Sequence, residues 1–535
     1  FLFSKKNNKW DGITFRKLAI NISKVIFFLK QKNVKPKDRV LLISNNRIEW
    51  FIFDIAIMSI RAITVPCFPT NNISDNKFII EDCEPELIVI DRLNTYKKNH
   101  DILERIKEKI IIIESVETKF LHSYEQIISI SEKKYSIDKF IKKKDISSII
   151  YTSGTGGRPK GVMLSHSSII HNCKAALKLL SDAHLGNERF LSFLPLSHSY
   201  ERMAGLYFPL SIGAQIYYCE SLEKINKNFQ EVKPTIVTAV PRLYENIYKK
   251  IKFKIDNSNF LTRYLFLKST SLFQQSKLRK MKFYEKLINY FLIVLVKKKI
   301  QSIFGGSLKS FISGGAALNP LIGDFFLSMG INILQGYGQT ESSPLISCNN
   351  FKTNDTTTVG SPVLYVKVKI SVDGEILVKG PNVMLGYWNN KILTKKTIKN
   401  GWLHTGDLGT IDSLGRLKII GRKKDLIVTS GGDNISPTKI ESILTSYSKI
   451  IQALIYGDDR PYLIAIVVCE KNVTKVQIRK IINLINKTLN VPEKIRKFIL
   501  LDELFTYENG LLTQTLKIKR SEVVKRYHRE INSLY

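Results

Sequence analysis

Tyr151-Thr152-Ser153-Gly154-Thr155-Gly156-Gly157-Arg158-Pro159-Lys160-Gly161 is the stretch on which the reading of this chain turns. It follows an apolar strand, Ser148-Ile149-Ile150, and precedes a helix predicted from Ser165. Small residues let backbone N–H groups approach phosphate oxygens, hydroxyls add donors, and Lys160 adds positive charge. It is not a Walker A loop, because Pro159 stands five positions after Gly154, where that motif needs glycine before Lys-Ser/Thr. Nor is it GxGxxG, since Pro159 occupies the last glycine position. A generic Ser/Gly/Thr turn has the same composition, so the surroundings must decide.

Working outward, the first half alternates strands and helices. Thr14 can cap a helix whose apolar residues Phe15, Leu18, Ile22, Val25, Ile26 and Leu29 recur at helical spacing. Lys35-Pro36-Lys37-Asp38 turns into the strand Arg39-Val40-Leu41-Leu42-Ile43, and another helix follows from about Ile48. Leu87-Ile88-Val89-Ile90 and Ile110-Ile111-Ile112-Ile113 are continuous β-branched runs, the pattern of strands buried on both faces. Such alternation predicts an α/β fold with parallel, helix-covered sheets. The segment from Arg242 to Ile300 is helical in pattern and carries 15 Lys or Arg against three acidic residues. Two readings stay open for it: a solvated helical face, or a surface held against anionic lipid.

With 535 residues and 44% hydrophobic content, the chain can build several cores. The strongest apolar run, Tyr290 to Val296, is seven residues long and ends at Lys297-Lys298-Lys299, too short to span a bilayer. The N-terminus does not read as a signal peptide, and a cytoplasmic protein is expected. Six scattered cysteines form no CxxC pair, which points to reduced thiols. Net charge is 82 − 47 = +35. The abundance of Lys, Ile and Asn, with A/T-rich codons, accounts for that surplus without a nucleic-acid partner, and no finger or RRM-like signature argues for one.

Four further stretches follow in order: Ser313-Gly314-Gly315-Ala316-Ala317-Leu318, Gly336-Tyr337-Gly338-Gln339-Thr340-Glu341, Gly401-Trp402-Leu403-His404-Thr405-Gly406-Asp407, and Gly421-Arg422-Lys423-Lys424-Asp425. Gly431-Gly432-Asp433-Asn434-Ile435-Ser436-Pro437 continues the last of these, and Gly510-Leu511-Leu512-Thr513-Gln514-Thr515-Leu516-Lys517-Ile518-Lys519-Arg520 stands near the end. Together with the opening stretch, this set resembles the signature motifs of the adenylate-forming superfamily, which includes acyl-CoA synthetases, luciferases and peptide-synthetase adenylation domains.

The resemblance implies a fold and a set of roles. A large N-terminal domain over 1–423 would hold helix-covered β-sheets and a β-barrel-like subdomain, with a small mobile α+β lid over 424–535. ATP would be bound by Thr152, Ser153, Gly154, Thr155 and Lys160, and by Gly315, Ala316, Tyr337 and Gly338. Tyr337 would stack on adenine, Thr340 would meet the α-phosphate, and Glu341 would hold Mg²⁺. Asp407 would take the ribose hydroxyls, with Arg422 near the nucleotide and Lys424 as hinge. Gly431 and Gly432 would admit the pantetheine arm of coenzyme A. Lys517 would be the adenylation lysine, with Lys519 its competitor; long-chain enzymes usually have Pro where this chain has Gln514.

Leu194-Pro195-Leu196-Ser197-His198-Ser199-Tyr200-Glu201-Arg202 resembles the acyl-site motif of the long-chain branch, with His198 near the carboxylate; a structural His-Glu-Arg cluster is the alternative. The implied activity is ATP-dependent activation of a fatty acid to acyl-AMP and its transfer to coenzyme A. Transfer to an acyl carrier protein, or a non-catalytic lipid- or nucleotide-binding role, are the competing readings. Gly415 to Arg422 runs without the insertion typical of carrier-protein-loading relatives.

Overall fold

In the computed structural model, residues 1–114, 122–129, 137–152, 158–513 and 517–535 are described. Two large, mostly parallel sheets form the body. One runs, from edge to edge, through strands Gly386–Tyr387, Lys160–Ser165, Ile146–Thr152, Ile63–Cys67, Arg39–Ile43, Leu87–Ile90, Ile110–Ile112 and His122–Ser123. Arg39–Ile43 lies parallel to both Ile63–Cys67 and Leu87–Ile90. These strands are buried, as their unbroken apolar runs require. The second sheet has a parallel centre built from Leu2–Lys6, Gln215–Tyr218, Arg189–Ser192, Ile236–Ala239, Ser310–Ser313 and Asn332–Gly338.

Helices cover these sheets where their caps and stripes place them. Phe15–Gln31 begins at Thr14, whose Oγ1 accepts from the Lys17 backbone N–H at 3.2 Å. Its residues Leu18, Val25, Ile26 and Leu29 enter the same core as Trp50, Ile52 and Phe53 of helix Ile48–Ser59. A small antiparallel sheet follows, with strands Lys367–Ile370, Glu375–Lys379, Ile398–Lys399, Trp402–Ile411 and Leu417–Arg422.

The C-terminal part is α+β. Strands Ile450–Tyr456, Leu463–Cys469 and Ile495–Leu501 form a sheet flanked by helices Pro437–Thr445 and Lys475–Asn486, with its own apolar core. Among the described residues, three side-chain hydrogen bonds tie it to the body: Lys249 Nζ to the Ile450 carbonyl at 2.9 Å, Asn319 Nδ2 to the Ser442 carbonyl at 2.9 Å, and Tyr507 OH to the Thr70 carbonyl at 2.6 Å. The six cysteines are free thiols, four of them buried.

The basic segment is helical as expected: Pro241–Asp256, Phe260–Leu278 and Phe283–Gln301. The helix expected from Ser165 is present as His166–Leu179, capped by Ser165 Oγ. Before it runs a strand that the sequence reading did not name, Lys160–Ser165, antiparallel to Ile146–Thr152 with Thr152 opposite Lys160. Val162 and Leu164 are buried in this strand.

Candidate active site

A cleft of about 4370 Å³ runs between the body and the C-terminal part. Drug-sized pockets span roughly 300–1,000 Å³, so this space holds several ligand sites in series. It is lined by Thr152, Lys160, His198, Gly315, Ala316, Tyr337, Gly338, Thr340, Glu341, Asp407, Arg422, Lys424 and Lys517. Elements from both large sheets, the small sheet and the C-terminal part thus converge on one place. Ser153, Gly154 and Thr155, and Gln514 in the last motif, lie outside the described residues.

The polar contacts order this wall. Asp407 sits opposite Arg422 in the strand pair Trp402–Ile411 and Leu417–Arg422. The Arg422 Nε–H donates to Asp407 Oδ1 at 3.0 Å, and Tyr337 OH donates to Asp407 Oδ2 at 2.7 Å. A carboxylate offers about four lone-pair directions, so Asp407 keeps capacity for further donors. Tyr337 is fixed at both ends, by its strand and by this bond. Gly338 is required on steric grounds: a Cβ there would lie 1.7 Å from the Pro344 carbonyl oxygen. Gly315 adopts φ +81°, a left-handed turn that glycine enters without strain. Ser313 Oγ, Gln335 Oε1 and Gln339 Nε2 are buried beside the cleft without a partner among the described residues. Unpaired buried polar atoms are costly, and a polar heterocycle would satisfy them.

Thr340 Oγ1 and Ser199 Oγ share a hydrogen bond of 3.1 Å. Glu341 Oε1 accepts from Tyr387 OH at 2.8 Å, and the same ring lies 5.9 Å from the Lys160 ammonium. Sequence reasoning missed Tyr387 and Ser199 in these supporting roles. No local pattern could have found Tyr387, because its strand pairs with Lys160–Ser165 from more than 220 residues away.

Lys517 stands next to the bridge between Leu512 and Ile518. The Thr513 N–H donates to the Lys517 carbonyl at 2.7 Å, and the Lys517 N–H donates back to Thr513 Oγ1 at 3.0 Å. Its side chain keeps accessible surface because it lines the cleft, yet protein surrounds it. Burial, then the neighbouring Arg422, push its ammonium below the usual lysine range. Lys519, which also lines the cleft, stands at the N-cap of helix Arg520–Arg526. Gly431 and Gly432 are exposed and lie outside the lining of the cleft. The structure therefore brings Lys517 to the site and leaves the glycine loop outside it.

The motif around His198 divides. His198 faces the cleft; burial, then the charge of Lys517, lower its imidazole to about 4, so it is neutral at pH 7. Its Nδ1 accepts from the Tyr200 backbone N–H at 3.2 Å, which leaves the proton on Nε2. Arg202 turns inward to pair with buried Asp54, which also accepts from Tyr207 OH. Glu201 is 1% exposed and accepts from Ser192 Oγ at 2.7 Å. The structural reading thus holds for Glu201 and Arg202, but not for His198.

Burial raises the Glu201 carboxyl to about 8. The folded protein keeps this proton up to about pH 8, whereas the unfolded chain releases it near 4.5. Stability from this group is full below 4.5 and is lost as pH rises toward 8, about 3 kcal/mol of it by pH 7. Glu201→Gln should therefore melt higher than wild type at pH 7 and lack the decline across this window. Equal pH slopes in thermal unfolding of the two proteins would refute the assignment.

Asp407 with its donors Tyr337 and Arg422, in one cleft with Lys517 of the C-terminal part, suits an AMP-forming ligase. The chain belongs to the AMP-binding enzyme family: residues 2–388 match that family and residues 424–535 match the AMP-binding enzyme C-terminal domain. Curated relatives place it on the long-chain acyl-CoA synthetase branch of the adenylate-forming superfamily. The long-chain-fatty-acid–CoA ligase FadD15 of Mycobacterium bovis is 28% identical over 98% of this chain and 92% of its own length. The chloroplastic long-chain-fatty-acid–[acyl-carrier-protein] ligase AEE15 of Arabidopsis thaliana is 29% identical over 98% of this chain and 82% of its own. Among solved structures, the anthranilate CoA ligase AuaEII in complex with anthranoyl-AMP superposes with a TM-score of 0.77, at 20% identity over 100% of this chain and 95% of that one.

Proposed function

We propose that this enzyme activates a long-chain fatty acid with ATP and passes the acyl group to coenzyme A, giving acyl-CoA, AMP and pyrophosphate. The observation that carries the reading is the convergence of Lys517, Arg422, Asp407 and Tyr337 in a cleft that continues into an apolar branch. That branch is lined by Leu180, Phe190, Met203, Ala204, Phe208 and Cys348, which belong to one buried cluster. Each CH₂ placed there gains about 0.8 kcal/mol, a basis for preferring long alkyl chains.

A carboxylate cannot expel oxide, so its oxygen must first be made a leaving group. The acid's oxygen attacks the α-phosphorus of ATP, pyrophosphate departs, and a mixed anhydride remains. A thiol then displaces AMP. The protein's share is positioning and charge stabilisation. Tyr337 offers its ring to adenine, Asp407 accepts from the ribose, and Thr340 donates to the α-phosphate. Neutral His198 directs its Nε2–H at the carboxylate, and Lys517 bridges the carboxylate and α-phosphate as charge moves toward pyrophosphate. Thr152, Lys160 and the Gly-rich stretch between them hold the outer phosphates.

Glu341 fits Mg²⁺. Tyr387 occupies one of its carboxylate oxygens, and among the described residues no group of three or more His, Cys, Asp and Glu could hold a metal. A cation held by one carboxylate and the phosphates suits magnesium, which would neutralise phosphate charge when bound. We assign residues 1–423 and 424–535 as the two domains, with Lys424 as the hinge that exchanges Lys517 for the Gly431–Gly432 loop.

CoA-dependent AMP release measured on saturated acids from C2 to C20 tests the reading; a maximum at short chains would refute the long-chain assignment. The similarity to AEE15 favours a second acceptor. The same assay with CoA and acyl carrier protein in parallel decides between them, and thioester on the carrier protein alone would overturn coenzyme A.

A further inference from the structure

The helices Phe260–Leu278 and Phe283–Gln301 form a hairpin packed on the body. Their inner stripes are satisfied: Phe266, Val296 and Ile300 join the core, Ser269 Oγ donates to the Ser328 carbonyl at 2.6 Å, and Ile293 and Lys297 lie against Gly330. The outer stripes are not polar. On the second helix Tyr284, Leu287, Ile288, Phe291 and Val294 are exposed on the face opposite Leu292, Val296 and Ile300. Phe283 is 84% exposed and Phe291 60%. The first helix adds Phe260, 84% exposed, with Tyr264 and Leu267 on its own outer face. A helix apolar on both faces is normally covered on both. Scattered exposed hydrophobes need no partner, but a stripe from Phe283 to Val294, roughly 16 Å long, with Phe260, Tyr264 and Leu267 on the other helix, does.

Charge says what covers it. From Phe260 to Gln301 the chain has ten Lys and Arg against one acidic residue, whereas the whole chain has 82 against 47. Compositional drift alone would give fewer than two to one; here the ratio is ten to one. Lys280, Lys282 and Lys286 lie around the turn and Lys298 and Lys299 at the far end, whereas Lys277 and Arg279 pair with Asp324 and Glu285. A second copy of the chain would bring a like-charged face against this one. An anionic bilayer offers both acyl chains for the stripe and opposite charge for its rim. Among the described residues no helix is long and apolar enough to cross a membrane, so the stripe suits the interface.

We infer that this hairpin is a membrane-docking surface that lies flat on anionic lipid. The helix before it, Pro241–Asp256, lines the active-site cleft, so docking would set the mouth of the cleft beside the lipid surface. The docking itself does not depend on which acid the enzyme activates.

Flotation of the full chain with vesicles of phosphatidylcholine, with and without one-third phosphatidylglycerol, tests this. Wild type should bind the anionic vesicles about tenfold better than the neutral ones. Phe283→Ser/Leu287→Ser/Phe291→Ser should lose about tenfold or more. Lys280→Glu/Lys286→Glu/Lys298→Glu should lose the preference for anionic lipid. Both variants should keep octanoate-dependent AMP formation in vesicle-free solution within about twofold, since these side chains face outward. If the serine variant fails that control, the charge-reversed one decides: loss of preference supports docking, and retention overturns it. Absence of wild-type flotation, or equal binding by an active serine variant, would also overturn it. So would a wild-type dimer that the serine variant dissociates, because a second copy would then own the stripe.

Discussion

Lys517→Ala should reduce acyl-adenylate formation from ATP by about 10³-fold while leaving thioester formation from supplied acyl-AMP within a few-fold of wild type. The split follows from where the lysine sits. Lys517 lines the cleft beside Asp407 and Arg422. It supplies a positive charge there from the C-terminal part. Adenylation builds negative charge between carboxylate and α-phosphate, and this cation is placed to meet it. Thioester formation needs no such bridge, because the anhydride already exists. An equal loss in both half-reactions would refute the assignment. A pH profile adds a second readout. Burial, then Arg422, lower the ammonium, so kcat/KM for ATP in the first step should fall on the alkaline side below the usual lysine range. In Lys517→Arg that alkaline limb should vanish, since guanidinium keeps its proton.

Lys424→Pro should give the mirror image. Lys424 lies in the short turn Lys423–Asp425, directly after a residue anchored by the ion pair of Lys423 with Asp373. Proline holds φ near −65° and limits backbone rotation at this joint. With Lys517 in the cleft and the Gly431–Gly432 loop outside it, the described arrangement suits adenylation. Under the proposed hinge, the second step needs the C-terminal part to turn. The variant should therefore still exchange pyrophosphate into ATP, yet lose thioester formation by on the order of 10²-fold. Pre-steady-state measurement of the two steps would show this, and an unaffected thioester rate would place the hinge elsewhere.

Local signals in the sequence carried far. Arg39–Ile43 and Leu87–Ile90 were legible as strands because both faces are buried, which demands unbroken apolar runs. Helix Phe15–Gln31 was legible from its cap and stripe. Lys160–Ser165 was not, because what makes it a strand is pairing with Ile146–Thr152 on one side and Gly386–Tyr387 on the other. No window around Gly161 contains the second partner. The site shows the same division. Asp407 and Tyr337 stand in motifs, whereas the bond between them joins residues 70 apart in the chain.

Around His198 the obstacle was proximity in the chain. Adjacent polar residues in the motif could then be read as one cluster. In the fold they serve three places: the cleft for His198, a hydroxyl-lined niche for Glu201, and the Asp54 pair for Arg202.

The three hydrogen bonds between body and C-terminal part share one property: each ends on a main-chain carbonyl, at Ile450, Ser442 or Thr70. A carbonyl is supplied by any amino acid, so replacing those acceptors' side chains leaves the bonds intact. On its accepting side the seam is thus tolerant of sequence change, and among the described residues these bonds depend on the side chains of Lys249, Asn319 and Tyr507. A C-terminal part grafted from a distant relative would still accept from Lys249 and Asn319 if its backbone followed the same path, but would need a donor of its own for the Thr70 carbonyl.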